Sequence, residues 1–97
     1  MQADYDSEGD TIQIELQPGR RLGHAEDVEN GAVIVSVHDG RPAMVDVIGT
    51  NSGFEDALRV AAVRYGLDAE ALIAAAQAAL AAPDRTVTLD VAVRAAA

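Results

Sequence analysis

The sequence predicts an α+β fold with an antiparallel four-stranded β-meander, two helices joined by a Gly turn, and a C-terminal strand returning to the sheet. Three observations lead to this prediction. β-Branched residues and turn dipeptides dominate as far as Gly49, alanine dominates from there to Pro83, and apolar residues alternate again beyond it. The 97 residues have the length of one domain, 1–97. We divide it into the meander at 4–50, a helical hairpin at 51–83 and the closing strand at 85–93.

Alternation and turn dipeptides define the strands of the meander. Over 12–16, aliphatic residues alternate with polar ones, which is typical of a half-buried strand. Three further strands are predicted at 22–29, 32–38 and 41–48. Asn-Gly and Asp-Gly dipeptides separate them and tolerate the positive φ that two-residue hairpin turns require. Pro42 has no backbone donor, so we expect it at the start or the edge of its strand.

The pairing of these strands predicts which residues share a face. With two-residue loops in both hairpins, one face carries Val28, Val33, Val35, Val37 and Met44. The other face carries Ile34, Ala43, Val45 and Val47. Because both faces are then apolar, we expect helices on one side and a second subunit against part of the other. The sequence therefore predicts a homo-oligomer.

Two helices are predicted in the alanine-rich part. Asn51 or Ser52 caps the first, whose apolar stripe is Phe54, Leu58, Ala61, Ala62 and Tyr65. Gly66 lies where a left-handed residue ends a helix, and Leu67 supplies the accompanying apolar contact. Asp68 caps the second helix, which runs to about Ala82 and stops at Pro83. We expect its anchors to be Leu72, Ile73 and Leu80.

Composition excludes several classes of function. The 16 acidic and 7 basic residues give a net charge of -9, which opposes binding to nucleic acid and to anionic membranes. The absence of Cys excludes disulfide scaffolds, thiolate zinc sites and cysteine nucleophiles. We find neither an apolar stretch of membrane-spanning length nor a signal peptide, so we expect a cytoplasmic protein.

A calcium loop is the closest motif match. The EF-hand positions 1, 3, 5, 6 and 12 are filled by Asp4, Asp6, Glu8, Gly9 and Glu15. An EF-hand needs a helix on each side of the loop, yet only three residues precede Asp4 and 12–16 alternates like a strand. We therefore expect a polar turn leading into a strand, and no metal site.

A second pattern is that of the helix-turn-helix motif, with Ala62, Gly66 and Leu72 at its small, turn and buried positions. The candidate recognition helix at 68–82 carries Glu70 and no Lys or Arg. Such a helix cannot contact phosphates. We expect two helices packed about an ordinary Gly turn.

Catalytic alternatives rest on scattered titratable residues. In the predicted register His24, Glu26 and Asp46 share a face, either as a metal or acid-base cluster or as solvated strand-edge residues. A metal-assisted enzyme would use Asp6, Asp10, His24 or Asp46. Because we find no nucleophile elbow, phosphate loop or dinucleotide fingerprint, we expect no catalytic residue and no cofactor.

Short motifs follow one another in the first half of the chain. They are Tyr5-Asp6, Asp10, the strand at 12–16, and the segments 27–35, 39–41 and 45–48. In this order they resemble a bacterial and archaeal family called domain of unknown function 2283. The resemblance covers about residues 4–50, with Gln13 in place of an aromatic residue and Asp46 in place of Glu. It implies a small β-meander with a helix and no established activity. Some members are encoded beside small basic toxin-like proteins, which implies an antitoxin role for that subset.

These observations predict a non-enzymatic, homo-oligomeric interaction module. Residues 1–50 hold ten acids and three Arg, a net charge of -7. If the protein has a macromolecular partner, we expect a basic protein to contact this half. The predicted interaction face is Glu8, Glu26, Asp27, Glu29 and Asp46. The alternative is an antitoxin-like protein that neutralises a basic partner.

Overall fold

The computed structural model describes residues 1–19, 23–29, 31–50 and 53–90. These residues form a six-stranded antiparallel sheet and two helices, which confirms the α+β class. The strands are β1 Gln2–Asp6, β2 Thr11–Glu15, β3 His24–Val28, β4 Val33–His38, β5 Arg41–Ile48 and β6 Thr86–Thr88. The helices are α1 Phe54–Tyr65 and α2 Ala69–Ala81.

The strand order is β3-β4-β5-β2-β1-β6, so β3, β4 and β5 form a meander, and only the predicted place of β2 beside β3 is wrong. β2 pairs with β5, with Ile12 opposite Val47, and not with the strand that follows it in sequence. This central position leaves Ile12 fully buried. Alternation indicates that a segment is a strand but carries no information about its neighbours, which a tertiary contact decides.

The connection from β2 carries the chain to the edge of the sheet, where β3 begins. Gly23 donates its backbone N–H to the Val37 carbonyl oxygen at 2.7 Å. A Cβ added to Gly23 would lie 2.9 Å from that same oxygen. Only glycine therefore allows the two backbones to approach this closely.

Residues 2–6 form a strand that the sequence analysis treated as part of a polar turn. β1 pairs with β2 and places Ala3 and Tyr5 beside Ile14 and Ile12. Ala3 is buried, while the alternate residues of β1 are partly or fully exposed. The alternation is present in the sequence, but a small Ala and an amphipathic Tyr make it weak. The predicted turn is therefore confined to 7–10.

A β-bulge changes the predicted faces of the sheet. His38 pairs with Arg41 and Val37 with Pro42, as the two-residue turn requires, and Pro42 lies at the start of its strand as predicted. The register then shifts, so Val35 pairs with Val45. One extra residue exchanges the two faces of everything beyond it. Val28, Val33, Val35, Val45 and Val47 therefore share a single face, and the expectation of two apolar faces is wrong.

Both helices pack on that apolar face. α2 lies over β1, β2 and β6, and α1 lies over β3, β4 and β5. The largest fully buried side chains are Ile12, Ile14, Leu58, Leu72, Val28, Val33, Val35, Val45 and Val47. Full burial of such a side chain contributes about 1.5–3 kcal/mol. Leu72 and Ile73 anchor α2 as predicted, and Leu80 is partly buried.

The predicted helix boundaries at the Gly turn are confirmed. Gly66 has φ 67 and ψ 35, in the left-handed region, and Leu67 donates its N–H to the Ala62 carbonyl at 2.9 Å. The Asp68 carboxylate accepts from the N–H groups of Glu70 and Ala71. The first helix begins after Gly53. Its predicted caps, Asn51 and Ser52, lie outside the described residues.

The C-terminal strand returns to the sheet. β6 pairs with β1, with Val87 opposite Ala3, and Leu89 donates its N–H to the Met1 carbonyl at 2.8 Å. The prediction is confirmed for 86–88, and residues 91–93 of the predicted strand lie outside the described residues. Neither helix in the described ranges is long and apolar enough to cross a membrane.

Candidate functional site

The face of the sheet opposite the helices is polar and acidic, and we call it the outer face. Its register places Asp4 opposite Gln13, Gln13 opposite Asp46, Asp46 opposite Ile34 and Ile34 opposite Asp27. Neighbouring strands are about 4.8 Å apart, so the three carboxylates follow one another at intervals of about 10 Å. Asp6 and Glu15 lie on the same face, in the adjacent rows.

Cations are few on the outer face of the described strands. Among the described strands, the one Arg is Arg41, the first residue of β5. It lies five positions before Asp46 along the strand, about 16 Å at 3.3 Å per residue. None of the ion pairs between described residues involves Asp4, Asp6, Asp27 or Asp46. Within the described residues, no Arg or His therefore forms an ion pair with these four carboxylates.

Asp46 is the least satisfied of these carboxylates. Its Oδ1 atom is buried and has no hydrogen-bond partner among the described residues. Burial raises the pKa of Asp46, the nearby charge of Asp4 raises it further, and a hydrogen bond from Gln13 acts in the opposite direction. Burial and the charge of Asp6 likewise raise the pKa of Asp4. The fold thus opposes ionisation of Asp46 and Asp4. A cation placed between these two carboxylates would favour their ionised forms.

A different cluster joins the edge strand β3 to α1. Glu26 accepts hydrogen bonds from the Tyr65 hydroxyl and, at 3.2 Å, from His24 Nε2. Both lower the pKa of Glu26, whereas burial and then the Glu26 carboxylate raise the pKa of Tyr65 to about 12. Arg64 donates to the Asp27 carbonyl at 3.3 Å. These shifts hold Tyr65 protonated and Glu26 ionised, which is the arrangement of a structural link between strand and helix.

This link separates residues that the sequence analysis placed together. His24 and Glu26 lie on the same side of β3 as Val28, facing α1, whereas Asp46 pairs with Ile34 on the outer face. The predicted cluster of His24, Glu26 and Asp46 is therefore wrong. The cause is the bulge, which moves Asp46 to the opposite side of the sheet from the position that a regular hairpin would give it.

The remaining candidates for metal-assisted chemistry are engaged in the turn after β1. The Asp6 carboxylate accepts from the N–H groups of Glu8 and Gly9. Asp10 accepts from the Tyr5 hydroxyl at 2.9 Å and from the Thr50 hydroxyl at 2.6 Å. The hydrogen bonds from Thr50 and then Tyr5 lower its pKa. Asp10 thus links the β1–β2 hairpin to the end of β5. Within the described ranges, no three His, Asp or Glu residues form a group that could hold a metal ion.

The predicted interaction face is divided by the fold. Asp27 and Asp46 lie on the outer face, and Glu26 faces α1. Glu8 belongs to the β1–β2 turn, and Glu29 follows β3 with a positive φ of 52. Asp4, Asp6 and Glu15 also lie on the outer face and were not among the predicted interaction residues. The alternation of 2–6 and 11–15 is the signal that assigns them, once both segments are recognised as paired strands.

Comparisons of the chain with protein-family models, with curated proteins and with solved structures return no match. The resemblance to domain of unknown function 2283 stays a prediction. The function is therefore inferred from the geometry of the outer face.

Proposed function

We propose that this protein is a non-enzymatic interaction module that binds a basic protein segment on its outer face. The observation that carries the proposal is the buried, unpartnered Oδ1 of Asp46, between Asp4 and Asp27 on a sheet face without a covering element among the described residues. An uncompensated buried acceptor is unfavourable, and a Lys or Arg from a partner would satisfy it. We place the module in the cytoplasm, because a chain without Cys needs no disulfide and is compatible with a reducing compartment.

Charge supports a cationic partner over an anionic one. Among the described strand residues, the outer face carries five carboxylates, and Arg41 lies at its far end. Such a surface accelerates encounter with a basic protein and repels phosphate. Each exposed ion pair contributes about 0.2–1 kcal/mol, so several pairs and a desolvated centre at Asp46 are needed for stable binding.

The spacing of the carboxylates favours a helical partner segment. Seven residues of an α-helix span about 10.5 Å, close to the interval of about 10 Å between Asp4, Asp46 and Asp27. A basic helix lying across the strands would bring one cation to each carboxylate. Ile34 lies in this row between Asp46 and Asp27, and Met44 lies in the adjacent row. Both are partly exposed and would contact the apolar residues of the helix. An antitoxin-like role is the narrower form of this proposal, in which the basic helix belongs to a toxin.

The test is binding of an alanine-based helical peptide with Lys at every seventh position, measured by calorimetry across a salt series. A scrambled peptide of identical composition is the peptide control. Asp4→Asn combined with Asp46→Asn should weaken binding at least about tenfold, because both cation contacts are lost. Asp39→Asn combined with Asp90→Asn removes the same charge from exposed positions outside the row and should change the Kd less than about twofold.

Carbodiimide coupling identifies the contact directly, because the chain has no Lys and its own amines cannot compete except at the amino terminus. We expect the peptide to attach to Asp4, Asp27 and Asp46. Equal affinity for both peptides, or equal weakening by both pairs of substitutions, would contradict the proposed site.

A further inference from the structure

An apolar patch lies on the solvent side of α1. Val63 is 86% exposed, Val60 is 36% exposed, and Ile48 at the end of β5 is 47% exposed. Val60 joins two depressions, one shared with Ile48 and Phe54 and the other with Val63. The exposed apolar side chains of Val60 and Val63 are therefore adjacent along α1, and we call these two residues the α1 patch, which borders Ile48 at the end of β5.

The polar residues around the α1 patch are self-complementary. Asp56, Val60 and Arg64 are spaced by four residues and follow one another along the exposed side of the helix. Two antiparallel copies of α1 crossing at Val60 would place Asp56 of each chain opposite Arg64 of the other. Asp56 is exposed, and Arg64 uses one of its five N–H donors on the Asp27 carbonyl.

Net charge also favours this surface for a second copy. Two chains of charge -9 repel each other, and the outer face concentrates that repulsion. In α1 the acids Glu55 and Asp56 are matched in number by Arg59 and Arg64, and Arg59 also pairs with Glu70 of α2 at 2.6 Å. The surface around the α1 patch therefore carries both cations and anions, whereas the outer face is mainly acidic.

We infer that the chain forms a two-fold symmetric dimer through the α1 patch, with Val60 at the axis and paired contacts between Asp56 and Arg64. The interface is isologous, so each polar contact occurs twice. Because α1 covers the opposite side of the sheet, both outer faces stay accessible in the dimer. The dimer presents two identical acidic surfaces to its surroundings.

Sedimentation equilibrium of the full chain at micromolar concentrations tests the dimer. We expect twice the chain mass of 10.1 kDa for the wild type. Val63→Asp should give the monomer mass, because it places a charge in the apolar centre of the interface. Ala74→Asp makes a comparable change at an exposed position of α2 and should leave the dimer intact.

A charge exchange separates the proposed contact from a loss of folding. Asp56→Arg and Arg64→Asp should each raise the dimer Kd at least about tenfold. The double variant should have a dimer Kd within about threefold of the wild-type value. A wild type of monomer mass, or a double variant as weak as the single ones, would overturn the inference. Val63→Asp should bind the basic peptide with unchanged affinity per chain, so a failure of either proposal is distinguishable from a failure of the other.

Discussion

Individual carboxylates have two opposite effects on this fold, and the direction of the pKa shift separates them. The hydrogen bonds from Thr50 and Tyr5 that lower the pKa of Asp10 stabilise its ionised form in the folded state. Burial and the charge of Asp4 raise the pKa of Asp46, so its ionised form opposes folding. Ionised Asp10 therefore stabilises the fold, whereas ionised Asp46 destabilises the free protein and is available to bind a cation. Binding sites commonly contain groups that are unfavourable for stability.

We expect Asp46→Asn to raise the stability of the free protein at pH 7 while it weakens binding of the basic peptide. A folded-state pKa above the unfolded value means that the wild type loses stability as pH rises through the folded pKa, and the neutral amide avoids this loss. Urea unfolding from pH 3 to pH 8 should show the largest gain at neutral pH and almost none where Asp46 is protonated. Asp39→Asn is the matched exposed control. A less stable variant at pH 7 would mean that the Asp46 carboxylate supports the fold.

Among the elements, the two helices are defined locally and the strands are not. Gly66 and Asp68 act within a few residues of their own positions, so the sequence predicts the end of α1 and the start of α2 correctly. The face of Asp46 depends on a bulge in β5, and the partner of β2 lies about thirty residues away along the chain. Neither contact has a signal in the local sequence.

Gly66→Ala should lower the free energy of unfolding by about 1 kcal/mol or more. Space is not the reason, because a Cβ at Gly66 would meet no atom within 4 Å. The reason is its φ of 67, a left-handed conformation that is unfavourable for a residue with a Cβ. Gly66→Asn should lower the free energy of unfolding by less than Gly66→Ala, because Asn tolerates left-handed φ values. Chemical unfolding of the three proteins would measure the order, and an Ala variant as stable as the wild type would show that the strain is relieved elsewhere.

At the scale of the whole molecule, the first and last described segments hold each other in place. The N–H of Asp84 donates to the Tyr5 carbonyl at 2.8 Å, and the Asp84 carboxylate accepts from the N–H and hydroxyl of Ser7. Met1 and Leu89 exchange backbone hydrogen bonds beyond β6. The outer face is therefore complete only when the C-terminal segment closes the sheet beside β1.

Substitutions in β6 test this closure. Val87→Ser should destabilise the protein by about 1 kcal/mol, because Val87 turns its side chain to the same face as Ala3 and is partly buried. Thr88→Ser alters the next residue, which is exposed, and should change stability by less than about 0.5 kcal/mol. Unfolding followed by circular dichroism would compare them. Equal effects of the two substitutions would mean that the Val87 side chain does not pack on the helix-covered face of the sheet.

The candidate site was partly predictable. The acidic first half pointed to a basic partner, and Asp27 and Asp46 belong to both the predicted interaction face and the observed outer face. Glu26 was predicted on the interaction face but does not lie on the outer face, because its carboxylate accepts hydrogen bonds from Tyr65 and His24 on the side that faces α1. Asp4 was missed because β1 was not recognised as a strand, and its position on the outer face follows only from pairing with β2.

By itself, the sequence determined the α+β class, the Gly66 turn, the cap at Asp68 and the acidic character of the first half. These depend on composition and on interactions between residues close in the chain. The tertiary structure alone decided the strand order, the single apolar face, and the row of Asp4, Asp46 and Asp27. Strand pairing joins segments far apart in sequence, and one bulge reverses which side of the sheet a residue occupies. For this reason the residues of the outer face come together only in the folded chain.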